Sequence, residues 1–111
     1  MANIKEFSGA VKYVVENGRV MDFYRRTLLQ IQGTYIKDFS GRVEYTIEGS
    51  NIKDFYGRVQ YQISSGYVKD FSGRVIYQLS GNIIKDFSGR VLYTIDGTIS
   101  QAELCALIVT I

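Results

Sequence analysis

The stretch Ile36-Lys-Asp-Phe-Ser-Gly-Arg-Val43 decides the fold of this chain, because it keeps returning. It recurs as IKDFYGRV from Ile52, as VKDFSGRV from Val68 and as IKDFSGRV from Ile84. Lys37, Lys53, Lys69 and Lys85 mark a spacing of 16 residues. Two steps backward reach Met21, in MDFYRRT, and Lys5, in KEFSGAV. Six units, 5–20, 21–36, 37–52, 53–68, 69–84 and 85–100, therefore cover nearly the whole chain. All six phenylalanines fall at one phase: Phe7, Phe23, Phe39, Phe55, Phe71 and Phe87. A fixed short period denotes copies of one supersecondary unit, stacked or set around an axis.

Within a unit, the runs YIKDF and RVEYTI are separated by Ser40-Gly41, and the next separator is Glu48-Gly49. Both are turn signals, since glycine reaches positive φ without steric cost. Each run has the length of a typical strand and is rich in Val, Ile, Tyr, Phe and Thr, which suit pleated, half-buried surfaces. Each unit is thus expected to be a β-hairpin, and six hairpins give about 12 strands in an antiparallel meander. A two-residue turn at Ser40-Gly41 pairs Ile36 with Tyr45. One face then carries Ile36, Val43, Tyr45 and Ile47, with Asp38 at its rim. The other carries Lys37, Phe39, Arg42, Glu44 and Thr46. The rival is a type I turn with Asp first and Gly fourth. It places Ile36 opposite Glu44 and mixes the faces, so the two-residue turn is the expected one.

An isolated hairpin of this size is marginal in water, and a flat sheet of 12 short strands would leave two open edges. Closing the ring removes both edges. The expected fold is mainly β, a closed radial antiparallel meander in which the first and last units pair, all within residues 1–111 as a single domain. The tail TISQAELCALIVTI breaks the period. Ser100 and Glu103 form a capping box, and Ile99 with Leu104 a hydrophobic staple. The residues that follow are apolar nearly all round, so a helix over about 101–110 must be buried, plugging the centre of the ring. A last strand is the alternative, since LIVTI is rich in β-branched residues; an exposed helix that makes an oligomer is the third.

With 111 residues and a net charge of +2, the chain allows one modest core and gives no reason to expect nucleic acid as a partner. It has no proline and no histidine, and Cys105 is its only cysteine. The absent prolines fit strands whose every N–H is needed in a ladder. Lacking histidine, the chain can build neither a Ser-His-Asp nor a Cys-His arrangement, and no intrachain disulfide can form. The start MANIKEFSGA lacks the pattern of a signal peptide, so the default compartment is the cytoplasm.

The repeated pattern IKDFSGRVEYTIEG resembles the bacterial β-flower proteins, small domains of hairpins arranged radially about a pseudo-symmetry axis. The resemblance covers roughly residues 4–98, and a short apolar C-terminal helix is also similar to that family. It implies a flower-like β fold and no activity. The overall shape also looks like a relative of Tubby-type barrels, an analogy that suggests lipid binding. The repeats of bacterial shell toxins are a weaker likeness. Two features depart from the family pattern: Arg25 stands where other units have Gly, so that turn is expected to differ, and six copies exceed a four-fold or five-fold count.

Three sets of residues are candidates for function. Asp22, Asp38, Asp54, Asp70 and Asp86, with Glu6 at the same phase, could ring a cation such as Ca²⁺, but Asp before a turn more often caps that turn. Lys37, Lys53, Lys69 and Lys85 with Arg42, Arg58, Arg74 and Arg90 lie near one turn of each hairpin and form a candidate rim for an anionic ligand. The competing reading is a solvated face with Arg covering Phe. Tyr13, Tyr45, Tyr61, Tyr77 and Tyr93 share a phase with Leu29, which marks core packing. Buried in the tail, Cys105 reads as packing. No metal, cofactor or catalytic residue is expected. The reading is a non-catalytic binding or scaffold module for an unidentified protein or ligand, as a monomer or small homo-oligomer. Its alternative is attachment to anionic lipid or phosphate through the Lys/Arg rim.

Overall fold

The structure is a computed structural model that describes all 111 residues. Its strands are β1 (Ala2–Glu6), β2 (Val11–Glu16), β3 (Arg19–Asp22), β4 (Thr27–Gln32), β5 (Tyr35–Asp38), β6 (Val43–Glu48), β7 (Asn51–Asp54), β8 (Val59–Ser64), β9 (Tyr67–Asp70), β10 (Val75–Ser80), β11 (Ile83–Asp86) and β12 (Val91–Gly97). One helix follows, α1 (Gln101–Thr110). Every strand pairs antiparallel with its neighbours in sequence, and β1 pairs with β12. The result is a closed barrel with no free edge. Its extents are 37 × 31 × 17 Å, so it is a disc about one short strand thick.

The turns differ from the expected register in an informative way. Gly41 N–H donates to the Asp38 carbonyl (3.1 Å), and Asp38 N–H donates to the Arg42 carbonyl (2.8 Å). Gly41 has φ +94°. This is the rival turn: type I, with the fourth residue left-handed and followed by a bulge. Lys37 therefore pairs with Val43, the ladder slips by one residue, and beyond the slip Ile36 pairs with Tyr45. The bulge thus restores the expected pairing of the core residues while moving Val43 beside Lys37 on the outer wall. The face assignment of Val43 is corrected accordingly.

Unit two keeps the same turn, contrary to expectation. Arg25 adopts φ +65°, and its N–H donates to the Asp22 carbonyl (2.9 Å). The neighbouring hydrogen bonds over-determine the loop, so Arg25 bears a backbone conformation that costs an L residue about 1–2 kcal/mol. At the other rim the turns have two residues, with Glu48 paired to Asn51 around Gly49-Ser50. Positive φ at both Asn17 and Gly18 makes that turn type I′, and positive φ at only the first residue makes the Gly33-Thr34 and Gly49-Ser50 turns type II′.

Ile4, Val20, Ile36, Ile52, Val68 and Ile84, spaced by 16 residues, are fully buried. They point to the axis, and each contributes about 1.5–3 kcal/mol relative to exposure. The helix begins at the rim of two-residue turns, where Glu103 Oε2 accepts from Gly18 N–H at 2.8 Å. The capping box is present in full: Ser100 Oγ accepts from Glu103 N–H (3.1 Å), and Glu103 Oε1 accepts from Ser100 N–H (2.9 Å). Cys105, Ala106, Leu107 and Ile108 are buried, so the helix is the plug that its apolar composition demands. The ring is closed at Gly97, paired with Ala2. A Cβ on Gly97 would lie 2.4 Å from the Met1 carbonyl oxygen.

Candidate functional site

The plugged rim leaves one end of the barrel without a covering element. Here the six Asp-type turns form a crown, with Tyr13, Tyr45, Tyr61, Tyr77 and Tyr93 half-buried around the axis inside it. The aspartates are tied into their own turns. Asp38 Oδ1 accepts from Ser40 N–H (2.9 Å), Arg42 N–H (3.0 Å) and the Ser40 hydroxyl (2.6 Å). Asp70 and Asp86 repeat this set with Ser72 and Ser88. Asp22 and Asp54 accept from the N–H groups of Tyr24 and Arg26, and of Tyr56 and Arg58.

These bonds favour the ionised form. The Ser40, Ser72 and Ser88 hydroxyls, with the following Arg N–H groups, hold Asp38, Asp70 and Asp86 below the usual carboxylate range. At Asp22 the Arg26 N–H is the main cause. At Asp54 burial pushes upward but is outweighed by the Arg58 and Tyr56 N–H groups. The carboxylates are separate turn caps, and no three acidic groups approach one another closely enough to share a cation.

The basic residues are not gathered on one rim. Lys53 turns along the outer wall to Glu48 (2.7 Å), Lys5 to Asp96 (3.0 Å) and Lys37 to Gln32, all toward the plugged end. Lys69 and Lys85 lie on the same wall without an ion pair. Arg42, Arg58, Arg74 and Arg90, with Arg26, stay at the crown, and each Nε lies 2.8–3.6 Å from the aspartate four residues before it. Their side chains are 71–80% exposed, so these pairs are worth little energetically. Arg25 reaches away from the crown to Glu16 (3.3 Å), so Lys12 and the five turn arginines face Glu6, Glu44 and the five turn aspartates, and the crown carries both signs with no positive excess.

The phenylalanines are its most unusual feature. All six occupy the first residue of the turn loop and are 59–83% exposed. Tyr24 and Tyr56 stand beside two of them, and it is these tyrosines, not the phenylalanines, that Arg26 and Arg58 cover, at 5.4 and 5.2 Å. Between adjacent tips lie notches. One, of about 300 Å³, is lined by Arg42, Val43, Glu44 and Phe55. An equivalent one, of about 340 Å³, is lined by Arg58, Val59, Gln60 and Phe71. A third, bordered by Arg26, Leu28 and Phe39, measures about 580 Å³. The apolar floor of the first two is the valine turned outward by the bulge, Val43 or Val59, which the preferred register placed in the core; the third has Thr27 at that position. The Asp-Phe-Ser-Gly spacing carried the signal for it.

On the axis, burial pushes the Tyr13, Tyr45 and Tyr77 phenols up, helped by neighbouring phenols of the ring. Tyr13 and Tyr93 ring centroids are 6.3 Å apart. The hydroxyls stay open to water. Burial likewise raises the Cys105 thiol, which is the setting of a packing residue and not of a nucleophile. No protein-family model, characterised protein or solved structure matches this chain.

Proposed function

We propose that the protein is a non-catalytic binding or scaffold module whose docking face is the crown. The observation that carries this reading is the ring of six exposed phenylalanines, one per hairpin, all at one rim. Large apolar side chains concentrated on one surface mark an interaction site. Aromatic residues and arginine together are the composition enriched in protein interfaces. Rigid hairpins hold the tips, so little order is lost on docking. The repeated motif supports grouping the domain with β-flower proteins, for which it implies no activity. Attachment to anionic lipid or phosphate has weaker support, because the turn arginines are balanced by their aspartates and the lysines point along the wall.

A photo-crosslinking amino acid at Phe39, compared in cell extract with one at Gln101 on the plugged face, tests the assignment. Adducts are expected from the crown position and not from Gln101. Equal labelling from both faces would remove the crown as the docking surface.

A further inference from the structure

We infer that the crown docks against the crown of a second copy of this chain, giving a closed, face-to-face dimer. The inference rests on the crown being the docking face, and four observations select this occupant. The first is area. A disc of 37 × 31 Å presents at most about 900 Å² per copy, so two faces could bury up to about 1,800 Å² in all, enough for a standard stable interface.

The second is charge. The crown has no positive excess and carries an Arg and an Asp in each of five hairpins. Turning one crown over onto another can set arginines against aspartates instead of like against like. An anionic bilayer or a nucleic acid gains nothing comparable from a surface without a positive excess.

The third is shape. Tips alternate with notches around the rim, and the notches recur between successive hairpins. Two such rims mesh when staggered. A Phe of one copy enters a notch floored by Val43 or Val59 of the other, and large, rigid aromatic anchors in pockets are what concentrate binding energy.

The fourth is closure. Only the crown is a whole face without a covering element, because helix α1 occupies the other end and leaves there a pocket of about 190 Å³ beside Ile99 and Leu104. An interface that uses the same patch on both copies is self-limiting, so assembly stops at two and cannot run into a filament.

The test is mass in solution. Light scattering behind size exclusion is measured from about 10 to 200 μM, a range that brackets micromolar affinity. The chain is 12.6 kDa, and the wild type is expected at twice that mass. Phe39→Ser with Phe71→Ser removes two exposed side chains that contribute nothing to the monomer core. This variant is expected at the mass of a single copy with an unchanged circular dichroism spectrum. Gln101→Lys, on the plugged face, should leave the dimer intact.

A wild type that stays monomeric at 200 μM overturns the inference. So does a dimer unaffected by the double Phe change but lost with Gln101→Lys, or a mass that climbs past two copies. A monomer that floats with vesicles of phosphatidylcholine and phosphatidylserine would replace the second copy with a lipid surface. A monomer whose Phe39 probe still labels other proteins would sink the dimer while leaving the docking face standing.

Discussion

Replacing Gly97 with alanine probes ring closure at its tightest point. Gly97 has φ +126°, a region that L residues rarely enter, at a cost of about 1–3 kcal/mol. Its new Cβ would also meet the Met1 carbonyl oxygen at 2.4 Å and the Ala2 Cα at 2.9 Å. Both are backbone atoms of the partner strand and cannot rotate away, so β1 must shift, which adds about 1–3 kcal/mol. The total is about 4 kcal/mol, a large part of the stability of a domain this size. At about 4 °C per kcal/mol, the melting temperature should fall by about 15 °C. Gly41→Ala is the matched control. Gly41 has φ +94°, but its Cβ would meet nothing within 4 Å. It should lose only the backbone part, about 1–2 kcal/mol or about 5 °C. Thermal and urea denaturation of both variants, followed by circular dichroism, give the comparison. If Gly97→Ala lost no more than Gly41→Ala, the strands at the seam would not be packed as described, and the closed-ring account would fail.

Acid should weaken the protein through its crown. Asp22, Asp38, Asp54, Asp70 and Asp86 are depressed in the folded state. Their contribution is therefore complete above the unfolded value of about 3.9 and is lost as pH falls through the folded values. Urea midpoints should drop between pH 7 and pH 3, by less in Asp38→Asn; an unchanged midpoint contradicts the turn caps. Alkali should weaken the protein too, through the axis. The raised phenols of Tyr13, Tyr45 and Tyr77 stabilise fully below about pH 10, and that contribution disappears as pH rises through their folded values. Absorbance near 295 nm should show part of the tyrosine ionising later than in urea; identical curves would mean that the ring is open. Ser100→Ala should cost about 1 kcal/mol as a lost cap. Glu103→Ala should cost about 2 kcal/mol, because Gly18 N–H also loses its acceptor; equal losses in denaturant would show that the link to Gly18 contributes nothing. Leu107→Ala, at a fully buried position of the plug, should cost about 2–5 kcal/mol. A smaller change in the same assay would mean that the helix is not core.

The sixteen-residue period by itself determined the hairpins, their number and the need to close. Six copies of an apolar face cannot be sheltered by local contacts, whatever the details of each turn. The helix was equally legible, because Ser100 and Glu103 satisfy its first N–H groups locally and its apolar surround demands burial. Three things were decided only in three dimensions. Two turns compatible with Asp-Phe-Ser-Gly differ by one residue of register, and the bulge that reconciles them with the Ile36–Tyr45 pair turns Val43 outward. Arg25 takes a left-handed conformation because the bonds of its loop outweigh its own preference. Lys53 and Arg58, five residues apart in sequence, part company because one lies on the wall and reaches Glu48 while the other stays beside Asp54. Periodicity reports which side chains must leave water together; where the remaining ones point depends on neighbouring strands that no local stretch contains.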